Sequence, residues 1–229
     1  MKRVTRSIGI LLAGFVVSIL VPHTAAFAQS SNFAIKIAAV KYNGGGDWYQ
    51  GQTPLPNFIQ FVRANTLMDI DPKPEVVELS SDKLFSYPFI FISGHGNVIL
   101  NDREVENLRR YLEGGGFLYI DDDYGLDRYI RREMKKVFPD RDFVELPFDH
   151  PIYHTQFSFN GPPKIHEHDN KPPQGFGIMV NGRLAVYYTY ETNFSDGWEP
   201  AGVHPNTPPE KREQALRMGA NILAYALMN

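Results

Sequence analysis

The sequence of 229 residues contains no cysteine. That absence removes disulfide bonds, thiolate metal ligands and a thiol nucleophile together. An excess of one charge is missing too. The 23 basic and 26 acidic residues leave a net charge of −3, which gives no electrostatic reason to propose nucleic acid as a partner. Long apolar runs are scarce. The one of note, Ile8 to Val21, falls short of the ~20 residues that a spanning helix needs. It follows a basic start (Lys2, Arg3, Arg6), is broken by Pro22, and precedes Ala26-Phe27-Ala28. This is the layout of a secretory signal peptide, with cleavage expected between Ala28 and Gln29; an uncleaved anchor is the alternative. Residues 1–28 are therefore set aside, and residues 29–229 are expected to form a single secreted domain, with the periplasm as its compartment and no membrane span after cleavage. No phosphate loop, dinucleotide fingerprint or Gly-x-Ser-x-Gly elbow occurs.

What remains has a clear rhythm. "FAIKIAAVKY" reads as a strand running into Gly44-Gly45-Gly46, and "PLPNFIQFVRAN" as a helix with Leu55, Phe58, Ile59 and Val62 on one face. "PEVVEL" and "PFIFISG" are further strands, and the unbroken apolar run of the second suits a strand covered on both faces. Asn101 and Glu104 form a capping box for a helix carrying Val105, Leu108 and Leu112, which Gly114 to Gly116 stop. "FLYIDDD" is a fourth strand and "LDRYIRREMKKVF" another helix. Alternation of this kind means βαβ units and a mainly parallel sheet. The second half is richer in strands and loops. Residues 146–174 are rich in proline and histidine and lack periodicity. "FGIMVNGRLAVYYTY" is a hairpin turning at Asn181-Gly182, and "TPPEKREQALRMGANILAYAL" is a closing helix with Thr207 and Glu210 as its capping box.

Ligands of open parallel sheets bind beyond the carboxyl ends of the strands. Three polar segments fall there: Gly44-Gly45-Gly46-Asp47-Trp48, Gly94-His95-Gly96-Asn97 and Asp121-Asp122-Asp123. Their glycines would let backbone N–H groups approach a ligand. Gly45, Asp47, Trp48, Gly94, His95, Gly96 and Asp122 are thus binding candidates, and Trp198, in "SDGWEP" after an Asp196-Gly197 turn, adds a flat stacking face. The blander reading gives the glycines to turns and the aromatics to the core. His95, Asp122 and Asp123 are the candidates for acid–base chemistry, with Asp121 expected to cap the next helix. His166 and His168 fall on one side of an extended segment. With His150 and His154 they are candidate ligands for a divalent metal such as zinc, with Glu167 or Asp169 nearby as proton acceptor; a polar loop bonded to backbone is the alternative. The basic stretch Arg128, Arg131, Arg132, Lys135 and Lys136 reads as a solvated face interrupted by Asp127 and Glu133.

The stretches "SGHG", "LRRYLEGGGFLYIDDDYG", "LPFDHPIYH", "PPKIHEHDNKPPQGFGI" and "GRLAVYYTYETNFSDGWE" resemble the domain-of-unknown-function 4159 family, which looks like a branch of the class I glutamine amidotransferase-like superfamily. The resemblance implies a flavodoxin-like three-layer α/β/α sandwich. It also implies an elbow where the superfamily places its catalytic cysteine. Here Asp121-Asp122-Asp123 occupies that position, so thiol-based glutamine hydrolysis is excluded. Two functions follow: a non-thiol domain binding a small polar or carbohydrate-like ligand or an envelope partner, and alternatively a metal-dependent hydrolase at the histidine-rich site. A purely structural role in an envelope complex is a third.

Overall fold

The computed structural model describes residues 34–166 and 168–229; the expected signal peptide (residues 1–28) and Glu167 lie outside them. In chain order the strands are β1 (Ile37–Lys41), β2 (Glu75–Glu78), β3 (Phe89–His95), β4 (Phe117–Tyr124), β5 (Val144–Glu145), β6 (Gln174–Val180) and β7 (Arg183–Tyr190). The helices are α1 (Leu55–Asn65), α2 (Asp102–Glu113), α3 (Asp127–Val137), α4 (Phe194–Trp198) and α5 (Pro209–Met228). The strands form one sheet in the order β2-β1-β3-β4-β7-β6-β5. Its first five members run parallel, and β6 and β5 add antiparallel strands at one edge.

Period-two alternation explains the apolar runs. From β3 and β4, Phe89, Phe91, Phe117 and Tyr119 point to one face, where α1, α4 and α5 supply Phe58, Trp198 and Ile222. Their neighbours Ile90, Ile92, Leu118 and Ile120 point to the other, against Leu108 and Leu112 of α2 and Ile130 and Met134 of α3. The result is a three-layer α/β/α sandwich, with helices on both faces of a mostly parallel sheet. Among the described residues, no helix is long and apolar enough to cross a membrane.

Local signals held at several joints. The capping box at Asn101 is complete, its side chain accepting from Glu104 N–H while the Glu104 carboxylate accepts from Asn101 N–H. Asn181 and Gly182 both take positive φ, 53° and 79°, as a type I′ hairpin requires. Two joints differ from the reading of the sequence. The closing helix starts at Pro209 with Pro208 as its cap residue and without a side-chain cap, so Thr207 and Glu210 make no capping box. Residues 194–198 form a helical turn, α4, capped by the Asn193 side chain on Asp196 N–H, where a simple turn was expected.

β1 pairs with β2 on one side and β3 on the other. The helices beside this point pack on opposite faces, α1 on one and α2 on the other. A crevice therefore opens at the carboxyl ends of β1 and β3, the topological switch point of the sheet.

Candidate functional site

The loops at this switch point are built against each other. Gly46 N–H donates to Asn97 O at 3.0 Å, Asp47 N–H to His95 O at 3.3 Å, and Ile99 N–H to Asn43 O at 2.8 Å. These amides hold the glycine-rich loops together. Gly94 is required by the same packing. Its φ is +133°, and a Cβ there would lie 2.6 Å from the Tyr42 hydroxyl and 2.8 Å from an Asp47 carboxylate oxygen.

That close approach sets His95. Asp47 accepts from His95 N–H and faces its ring, with Oδ2 at 3.0 Å from Nδ1. Asp123 Oδ2 lies 3.2 Å from the same Nδ1. One imidazole thus stands between two carboxylates, from the loop after β1 and the end of β4.

The three consecutive aspartates divide by strand alternation. Asp121 and Asp123 point to the α4 face. Asp121 is wholly buried, accepting from Thr189 Oγ1 at 2.6 Å and from Ser195 N–H at 2.7 Å. Burial raises its carboxyl above the ordinary range. Asp122 points to the opposite face, accepting from Leu126 N–H at 2.8 Å just ahead of α3, which has no side-chain cap. Burial pushes it up to about 7. Asp121 therefore does not cap the following helix, as was expected of it, and Asp122 does not line the crevice. Asp123 does. Burial, then the negative charge of Asp196, raise it to about 6, against the opposing pull of His95.

A second trio comes from segments distant in sequence. Asp196 of α4 places Oδ2 2.8 Å from His166 Nδ1 and Oδ1 3.3 Å from His204 Nε2. His166 N–H donates to Thr192 O at 2.9 Å, tying the proline-rich segment to the exit of β7. His168 packs edge-on against His166 and Tyr124, ring centres 5.4 and 5.0 Å away. Burial and the neighbouring His166 lower its pKa, which favours the neutral imidazole. Ser195 and Ser93 share a hydrogen bond of 2.9 Å beneath the trio. Two residues of this segment, Glu191 and Asn193, hold left-handed backbone at φ 59° and 51°, a conformation that non-glycine residues keep only when their surroundings enforce it. The Glu191 carboxylate is held by Lys164 and Asp169 N–H, and the Asn193 amide donates to Asp123.

These groups surround one cavity of about 500 Å³, lined by His95, Asp123, His166, His168, Asp196 and His204, with Glu199, Ser195 and Tyr124 among its remaining walls. Among the described residues, neither lysine nor arginine lines it. Of the residues proposed from sequence, the fold brings His95, Asp123, His166 and His168 together, with Asp47 bonded to His95. Gly45, Gly94, Gly96 and Trp48 form the supporting loops. Trp198 is fully buried, stacked on Phe58 at 4.2 Å with its Nε1–H on Ala215 O, so it is core and not a stacking face.

The proposed metal set does not converge. His150 caps a short turn, accepting from Ile152 N–H, and packs on Tyr225, which touches Phe117 at the amino end of β4. His154 donates to Phe148 O. His150 thus stands toward the amino end of β4, and neither histidine lines the cavity that His166 and His168 share. Among the described residues, no group of three or more His, Asp or Glu side chains is arranged to hold a metal ion; the cavity's imidazoles and carboxylates bond to one another.

The chain matches the family described as a domain of unknown function, DUF4159, over residues 36–227. It belongs to that family. No curated protein matches the chain. The family match spans both trios and the loops that join them, so the cavity lies wholly inside the DUF4159 domain.

His204 and Asp196 were not singled out from sequence as site residues. His204 sits alone in "AGVHPN", with no spacing to mark it. Asp196 had a signal, since Asn193 three residues earlier is a helix cap that fixes where its carboxylate points.

Proposed function

We propose that this chain is an exported, non-thiol branch of the class I glutamine amidotransferase-like superfamily that holds a small polar, carbohydrate-like ligand at the carboxyl edge of its sheet. The single observation that carries the binding reading is the lining of the cavity. It concentrates carboxylates and imidazoles without a lysine or arginine, so it accepts hydrogen bonds and repels anions. Hydroxyl groups of a polyol suit such a surface, and the exposed ring of Tyr124 at the wall offers a face for the C–H side of a sugar. The superfamily reading draws on the sandwich and on the aspartates at the strand-to-helix elbow. The export reading draws on residues 1–28, which have the charge, apolar stretch and small residues of a signal peptide.

Thermal-shift screening against monosaccharides, cell-wall glycan fragments and nucleotides tests the binding reading. A ligand at a hundred times its Kd adds ~2.7 kcal/mol of stability, which is visible as a higher melting temperature. The gain should vanish in Asp196→Asn, which loosens two imidazoles at once. Silence across the sugars and glycan fragments would count against it.

A further inference from the structure

A second cavity, separate from the first, lies along α3 on the other face of the sheet. It has a volume of about 400 Å³, and Arg128, Arg131, Arg132, Lys135 and Arg141 line it with a single acid, Asp142. In sequence, Asp127 and Glu133 interrupt this basic stretch. In the fold each pairs with a cation of the groove and is partly turned inward. Glu133 is wholly buried and turned inward, accepting from Leu100 N–H at 2.8 Å and meeting Arg132 and Lys136 at 2.6 Å. Asp127 accepts from the Tyr188 hydroxyl at 2.9 Å and from Arg131 Nε at 2.7 Å. Asp142 pairs with Lys135 at 2.7 Å, so three of the groove's cations have carboxylate partners, and Arg128 and Arg141 leave it with an excess of positive charge in a molecule whose net charge is −3.

The guanidinium groups are also held in place. Arg131 lies over the rings of Phe176, Tyr188 and Phe143 at 4.6, 5.4 and 5.5 Å. Asp127 engages only its Nε, so both terminal nitrogens remain for a ligand. Arg128 stacks on Tyr129 at 4.5 Å. Arg141 donates through Nη1 to Met179 O, and its Nε is buried without a hydrogen-bond partner.

We infer that this groove is a binding site for a phosphoryl group, either of a soluble diphosphate or of an anionic lipid headgroup. A fixed planar guanidinium presents two parallel N–H donors that match phosphoryl oxygens, which a lysine cannot reproduce. The groove lies on the other face of the sheet from the polar cavity, and the two share no lining residue.

Calorimetric titration with inorganic pyrophosphate at low salt, beside flotation with phosphatidylglycerol–phosphatidylcholine vesicles, tests it on the full domain. Saturable binding of one pyrophosphate per chain assigns a soluble ligand; vesicle binding without it assigns the headgroup. In either arm Arg131→Lys, which keeps the charge and loses the fork, should weaken binding about tenfold. Arg128→Gln, at an exposed position that does not endanger the fold, should weaken it several-fold, and His95→Asn should leave it unchanged. Absence of binding in both arms overturns the inference. So does binding that is indifferent to Arg128→Gln in a protein that melts normally, or that is lost in His95→Asn.

Discussion

At the scale of the residue, strand alternation gives neighbouring aspartates different work. Asp122 faces the α3 layer and its carboxyl is pushed from 3.8 in the open chain up to about 7. The folded state therefore keeps this proton after the unfolded chain has lost it. Its contribution is fully present below pH 4 and is lost as pH rises toward 7, a change of at most ~4 kcal/mol. Asp122→Asn retains the acceptor for Leu126 N–H and removes the titration. Stability measured by urea unfolding should fall less steeply between pH 4 and 7 in this variant than in the parent, with the remaining slope due to Asp121 and Asp123. Identical pH profiles would show that Asp122 is ionised in the fold.

At the scale of the element, two loops meet through one glycine. Gly94→Ala puts a methyl group into the Tyr42 hydroxyl and the Asp47 carboxylate in a backbone conformation unsuited to alanine. A loss of about 1–3 kcal/mol is expected, together with a displaced His95 imidazole resonance as Asp47 is pushed away. Gly125→Ala, also at positive φ but with open space around it, should cost less and leave His95 alone; equal effects would refute the packing argument. The elements that were legible in sequence are those whose signals are local: the α2 capping box, the Asn181-Gly182 turn, the apolar runs of β3 and β4. Those that were not depend on distant partners. Asp122 and Asp121 cannot be told apart without knowing which face of β4 each takes. Glu133 looks like a surface charge until Leu100 N–H is brought to it. His150 and His154 look like partners for His166 and His168 because they are near in sequence, whereas the fold draws His204 and His95 to them instead.

At the scale of the whole molecule, the parallel sheet gathers residues from the ends of β1, β3, β4 and β7 onto one rim. His95, His166, His168 and His204 stand there, while His150, near the amino end of β4, and His154 lie outside that cavity. Imidazole proton–carbon NMR spectra read both groups in one experiment. On titration with a glycan fragment selected by thermal shift, the resonances of His95, His166, His168 and His204 should move together and saturate, while those of His150 and His154 stay fixed. Movement confined to His150 and His154, or a bound ligand that leaves all four rim histidines unchanged, would place the site elsewhere and contradict the reading.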